Sequence, residues 1–170
     1  MDVKQAQVDD YLEFAAARSA SLYRTACLLA GGDTHLAEDL VQDTLGRMYV
    51  HWHKVSTADN PAAYAHTVLV RGFLSHRRRR SSQERPVTRI PETIASDRDV
   101  TTRMALLAAL GQLSARDRAV LVLRYWQDSS VEETAAALRT SAGVVRTQTS
   151  RALGRLRAVL GDGITDFVPR

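Results

Sequence analysis

Cysteine is nearly missing from this chain: Cys27 is the single one among 170 residues. A disulfide framework and a cysteine-based metal site are therefore excluded. Its neighbours Ala26, Leu28 and Leu29 are those of a buried structural thiol. Aromatic residues amount to only 6%. No apolar run approaches the roughly 20 residues of a membrane span. The opening "MDVKQAQVDD" lacks the charged and apolar regions of a secretion signal. A cytoplasmic location with no membrane contact of its own is the expectation. Catalytic equipment is also lacking. His35, His51, His53, His66 and His76 do not pair with carboxylates at metal-ligand spacing, and His51 and His53, two apart, fall on different faces of a helix. There is neither a glycine-rich phosphate loop nor a nucleophile elbow. The expectation is no metal, no cofactor and no enzyme activity.

Strand patterning is absent too, and helical periodicity runs throughout, so the fold class is all-α. Hydrophobic content of 45% suffices for a core. A first helix spans about Asp9 to Leu29 and stops at the breaker pair Gly31-Gly32. Asp33 or Thr34 caps a second helix that fades near Lys54, with Leu40, Val41, Thr44, Leu45, Met48, Tyr49 and Trp52 along one side. The loop "STADNPAAY" leads into a third helix, with Pro61 suited to its first turn, which ends in Arg77 to Arg80. "SSQERPVTRIPETIASDRD" has two prolines and no apolar stripe, and reads as a flexible linker. Four further helices follow it. Ser114 and Asp117, and again Ser130 and Glu133, have capping-box spacing; Ser141 can cap the last helix. The chain thus divides into a first helical domain (1–80), a linker (81–99), a second helical domain (100–163) and a short tail (164–170).

The charge, +4 overall, is unevenly spread. Acids outnumber bases up to about Asp59, whereas from Arg71 to Arg89 nearly every charge is Arg, with Glu84 the exception. That asymmetry suits a polyanionic partner for the later part of the chain. The third helix carries Arg71, His76, Arg77, Arg78, Arg79 and Arg80, and at its start Asn60 and Tyr64. An amide and an aromatic beside a basic surface are equipment for holding unstacked bases. Val131–Leu138, a tight turn at Arg139-Thr140 and the capped helix after it form a helix-turn-helix pattern. Ala135 is small where the helices cross, and Val145, Ala152, Leu156 and Leu160 make the inner stripe. The other face bears Arg146, Thr147, Gln148, Ser150 and Arg151, then Arg155 and Arg157, with no acid. Polar groups near the helix start suit base edges, and arginines suit phosphates. Against this basic character stands an acidic ridge on the second helix: Glu38, Asp39, Gln42 and Asp43, recurring at helical spacing on one side.

Together these segments resemble the extracytoplasmic-function (ECF) sigma factors of bacterial RNA polymerase, in the right order over nearly the whole chain, and look most like an actinobacterial SigE-like subgroup. "LAEDLVQDTLGRMY" is similar to the region 2 helix that docks on the polymerase clamp. The resemblance therefore implies core polymerase binding by Glu38, Asp39, Gln42 and Asp43. "DNPAAYAHTVLVRGFLSHRRRR" is similar to the segment that opens and reads the −10 promoter element. That implies DNA contacts for Asn60, Tyr64, Arg71, His76, Arg77, Arg78, Arg79 and Arg80. "LSARDRAVLVLRYWQDSSVEETAAAL" with "VVRTQTSRALGRLR" resembles region 4, which reads the −35 element, here through Ser141, Arg146, Thr147, Gln148, Ser150, Arg151 and Arg155. Thr134 stands where the family usually has an aliphatic residue, Arg139 where a turn glycine is common, and Thr147 with the Val144-Val145 pair replaces a frequent Thr-Val-Lys-Ser string. The implied partners are core polymerase, at its clamp and flap surfaces, and promoter DNA, with an anti-sigma factor as a regulator to look for. A stand-alone helix-turn-helix regulator is the alternative, and it leaves the acidic ridge without a role.

Overall fold

The computed structural model describes residues 3–81 and 98–161. Among them there are helices and no strand: α1 (Val3–Leu29), α2 (Thr34–Val50), α3 (Trp52–Val55), α4 (Pro61–Ser81), α5 (Arg98–Gln112), α6 (Ala115–Leu121), a π-helical turn (Val122–Trp126), α7 (Val131–Leu138) and α8 (Ala142–Leu160). The greater part of the linker and the C-terminal tail lie outside the described residues. No described helix is long and apolar enough to cross a membrane.

Local chemistry sets most boundaries. Asp33 caps α2, its side chain accepting from the Leu36 N–H. Asn60 accepts from the Ala63 N–H at 3.0 Å just before Pro61, so a capping side chain and a proline at the first helical position cooperate. Ser130 and Glu133 form a complete capping box at α7, and Ser141 caps α8. Three expectations shift. Helix α1 begins before Asp9, because no glycine or proline breaks the preceding turns. The second helix ends at Val50 and restarts as the short α3. Helix α5 begins at Arg98, inside the stretch read as linker.

The second capping box is half made. Ser114 accepts from the Asp117 N–H, but the Asp117 carboxylate turns away to α8. Tyr49 is not core either. It is 52% exposed and meets Tyr11 edge-on, while Trp52 is buried and donates to Asp10 at 2.9 Å. A straight helix drifts off any fixed stripe, so by Tyr49 the side chain has rotated toward solvent. Cys27 is buried, as its neighbours suggested.

The two helical domains share one core. Leu22, Leu29, Met48, Leu69 and Phe73 of the first join Leu110, Leu113, Val120 and Leu138 of the second in a single cluster of buried residues. The seam between them is polar and reciprocal. Helix α1 ends in a Schellman motif, Gly32 N–H to Cys27 O and Gly31 N–H to Leu28 O, with Gly31 at φ 63°. That leaves the Leu29 carbonyl, which accepts from Nη1 of Arg118 in α6 at 2.7 Å. Gly31 is obligatory here for a second reason: a Cβ would stand 2.7 Å from the Gly111 Cα across the seam. Helix α7 ends in the same motif, Thr140 N–H to Ala135 O and Arg139 N–H to Ala136 O. There Arg71 of α4 donates to the Ala137 and Ala136 carbonyls at 2.9 and 3.1 Å. Each domain therefore contributes an arginine to the carbonyl-rich end of a helix in the other, where the helix dipole favours a cation.

Candidate nucleic-acid and protein interfaces

Glu38, Asp39, Gln42 and Asp43 are all exposed on α2, opposite Leu36, Ala37, Leu40, Val41, Thr44 and Met48, which are buried. The ridge is a continuous acidic strip on a rigid helix. Its side chains are free to meet a basic surface without disturbing the core.

On α4 the candidate residues part company. Tyr64 is exposed and lies one turn after Asn60. The Asn60 carbonyl oxygen is engaged in capping, which leaves its NH2 group to face outward chemistry. Arg78, Arg79 and Arg80 are exposed at the far end, and Arg77 is half-buried. Arg71 faces the seam instead. His76 is half-buried, and burial, followed by the charges of Arg80, Arg79 and Arg77, pushes its imidazole below the ordinary range, with Asp39 opposing. It is neutral at pH 7 and adds nothing to the positive charge of this helix end.

On α8, Val145 and Ala152 are buried, while Arg146, Thr147, Ser150, Arg151 and Arg155 are exposed and Gln148 is half-buried. The Ser141 hydroxyl accepts from the Val144 N–H. Sequence reasoning missed the acid behind this face. Asp117 is 2% exposed and lies between the two side chains expected to have different tasks. One carboxylate oxygen accepts from Arg155 at 2.5 Å, the other from the Gln148 Nε2 at 3.4 Å. A carboxylate can only accept, so the amide NH2 of Gln148 must face it, which leaves its carbonyl oxygen for other partners in the groove that Gln148 lines. This groove, about 590 Å³, is lined by Arg116, Gly143, Val144, Thr147, Gln148 and Arg151 among others. No local signal marked it: Asp117 sits at a capping-box position, and only its packing against α8 reveals the second use. Arg146 also reaches Glu132 of α7, at 3.5 Å on an open surface, a contact worth little.

Arg118 was likewise overlooked. It is 3% exposed, donates to the Leu29 and Leu113 carbonyls, and stacks over the Phe73 ring at 5.5 Å. Burial pushes its guanidinium down to about 10, so it stays charged at pH 7. Its sequence signature was an arginine placed directly against the apolar run "AVLVL". No cluster of His, Cys, Asp and Glu among the described residues could hold a metal ion.

The chain matches two family models, Sigma-70 region 2 over residues 16–83 and Sigma-70, region 4 over residues 103–156. It is similar to the RNA polymerase sigma-E factor of Streptomyces coelicolor, 35% identical over 156 residues, which cover 91% of this chain and 88% of that protein. The ECF RNA polymerase sigma factor SigL of Mycobacterium tuberculosis is 32% identical over 157 residues, covering 86% of this chain and 87% of the relative. Among solved structures, the sigma factor RpoE of Bartonella quintana, in complex with the anti-sigma factor NepR, superposes with a TM-score of 0.72. It is 26% identical and covers 90% of this chain and 98% of that one.

Proposed function

Because the chain belongs to the ECF sigma factors, in their SigE-like group, and so directs promoter-specific initiation by RNA polymerase, we propose how its surfaces divide that task. A sigma factor is a regulatory subunit and not an enzyme; this one acts in the cytoplasm and needs no cofactor. Residues 1–80 bind core polymerase and open the −10 element, and 100–163 read the −35 element. The acidic ridge of Glu38, Asp39, Gln42 and Asp43 docks on a basic clamp surface. Asn60 and Tyr64 hold unstacked bases beside the positive end of α4, where Arg77 to Arg80 meet phosphates. Helix α8 enters the major groove, with Arg146, Thr147 and Gln148 toward base edges and Ser150, Arg151 and Arg155 toward the backbone. The contact of the solved relative with an anti-sigma factor supports a similar regulator here.

The observation that carries this reading is the presence on one chain of an exposed acidic ridge and a capped helix-turn-helix with an acid-free outer face. A stand-alone DNA-binding regulator has use for the second alone. Weak contacts at the two promoter elements add when polymerase holds both domains, through effective concentration.

The test is reversal of Asp39 and Asp43 to Arg. Like charges opposed at a close interface cost several kcal/mol, so core polymerase should no longer be retained in pull-down and specific transcripts should vanish. The melting curve should stay within about 0.5 kcal/mol of wild type, since both side chains are exposed. Undiminished retention of core by the double variant would refute the docking role.

A further inference from the structure

Along the seam between the two domains runs a cleft of about 610 Å³, within the usual size of small-molecule sites. Six arginines line it: Arg47, Arg71, Arg77 and Arg78 from the first domain, Arg116 and Arg139 from the second. Among the described residues no carboxylate lines it. Arrangements of this kind cost energy, because like charges repel across a part-desolvated space. The effect is visible at Arg71, held below the ordinary guanidinium range first by burial and then by the charge of Arg139. No residue of the acidic ridge lines the cleft.

A second, independent feature lies at Arg139. Its backbone is in the left-handed region, φ 53° and ψ 52°. That conformation costs a residue with a Cβ roughly 1–2 kcal/mol, and glycine would adopt it freely. An arginine kept in a strained turn, with its side chain at a cleft already rich in arginine, points to a use for that side chain.

We propose that this cleft binds a compact polyphosphate anion, inorganic or nucleotide-borne, which bridges the two domains. Guanidinium groups match phosphate oxygens as bidentate donors. Only several adjacent phosphates supply enough negative charge within 610 Å³ to offset six cations; a peptide offers one carboxylate per residue and fills the space before it neutralises it. Arg71 gives two N–H donations to helix carbonyls and has donors left over for a ligand. Leu74 and Leu138 form an apolar wall on which a nucleoside could rest. Arg77 and Arg78 are shared with the proposed −10 phosphate contacts and Arg116 also lines the groove beside α8, whereas Arg139 has no promoter-reading role, so its variant isolates this site.

The full-length protein at low ionic strength is titrated with tripolyphosphate and, in parallel, with a nucleoside triphosphate. Binding is read by calorimetry, and the melting temperature is compared with sodium sulfate at matched ionic strength. At a hundredfold excess over the dissociation constant the melting temperature should rise by about 5–10 °C, with one anion bound per chain. Arg139→Gly relieves the turn and should melt no lower than wild type, yet bind at least about tenfold more weakly; Arg116→Ala should weaken binding similarly. A tighter fit for the nucleotide than for tripolyphosphate assigns the base to the apolar wall, and equal fits assign recognition to phosphate alone. Either supports the site. An equal shift with sulfate, unchanged affinity in Arg139→Gly, or a response to duplex DNA but to neither polyphosphate would overturn it.

Discussion

Replacing Arg118 with Met keeps the side-chain length and removes the charge that fastens the domains together. Three terms decide the outcome. Two charge-assisted hydrogen bonds, to the Leu29 and Leu113 carbonyls, are lost, at about 1.5–3 kcal/mol each. The contact with the Phe73 ring is worth about 1 kcal/mol more. Against these stands the relief of a buried cation. A guanidinium pushed from its ordinary value down to about 10 reports a penalty on its charged form of about 3 kcal/mol. The balance is a net loss of about 1–4 kcal/mol, and its sign follows from the two carbonyls that Arg118 satisfies. The pH sense is consistent: the unfolded chain holds this proton to higher pH, so the penalty is present in full below about pH 10 and lifts only above it. Calorimetry is the assay. Wild type, with one continuous core, should melt in one transition, whereas Arg118→Met should melt lower, its two domains separating into two transitions. Arg118→Lys should fall between, since one ammonium reaches fewer carbonyls. A variant with Met that is as stable as wild type would refute the claim that arginine–carbonyl contacts hold the seam.

The remaining predictions concern the recognition helix, its packing and pH. Asp117→Asn frees Gln148 to turn its amide either way, so −35 base preference at one position should relax by about 1–3 kcal/mol, as should Gln148→Ala; an unchanged ranking across a promoter library in both would count against the pairing. Thr134 is fully buried and its hydroxyl has no hydrogen-bond partner, so Thr134→Val should stabilise by about 1–3 kcal/mol, measured by urea unfolding; a loss of stability would show that the hydroxyl is satisfied. Burial, and then the charge of Arg18, lowers the His66 imidazole below its usual value. Its contribution is therefore complete above the unfolded value near 6.5 and is lost as the pH falls below it, because the unfolded chain takes up the proton first. His66→Leu should flatten that decline in melts between pH 7 and pH 5, and an unaltered slope would rule His66 out as its source.

Features of short range were mostly legible in the sequence. Helix stripes, Gly31-Gly32, Asp33, the Ser130–Glu133 box and Ser141 act over three or four residues, so period and spacing were enough to place α1, α2, α4 and the helix-turn-helix. The exposure of the acidic ridge followed from the same periodicity. Tertiary structure decided what depends on partners far apart in the chain. Arg118 and Leu29 are 89 residues apart, Arg71 and Ala137 are 66, and Arg155 and Asp117 are 38. Nothing in a local window says that Asp117 will prefer a cation on α8 to the backbone of its own cap. A carboxylate buried to 2% exposure takes the strongest donor within reach, and only the packing of α6 on α8 brings that donor there. For the same reason a basic run that read as one surface is divided, with Arg71 turned into the seam and Arg78 to Arg80 left facing solvent.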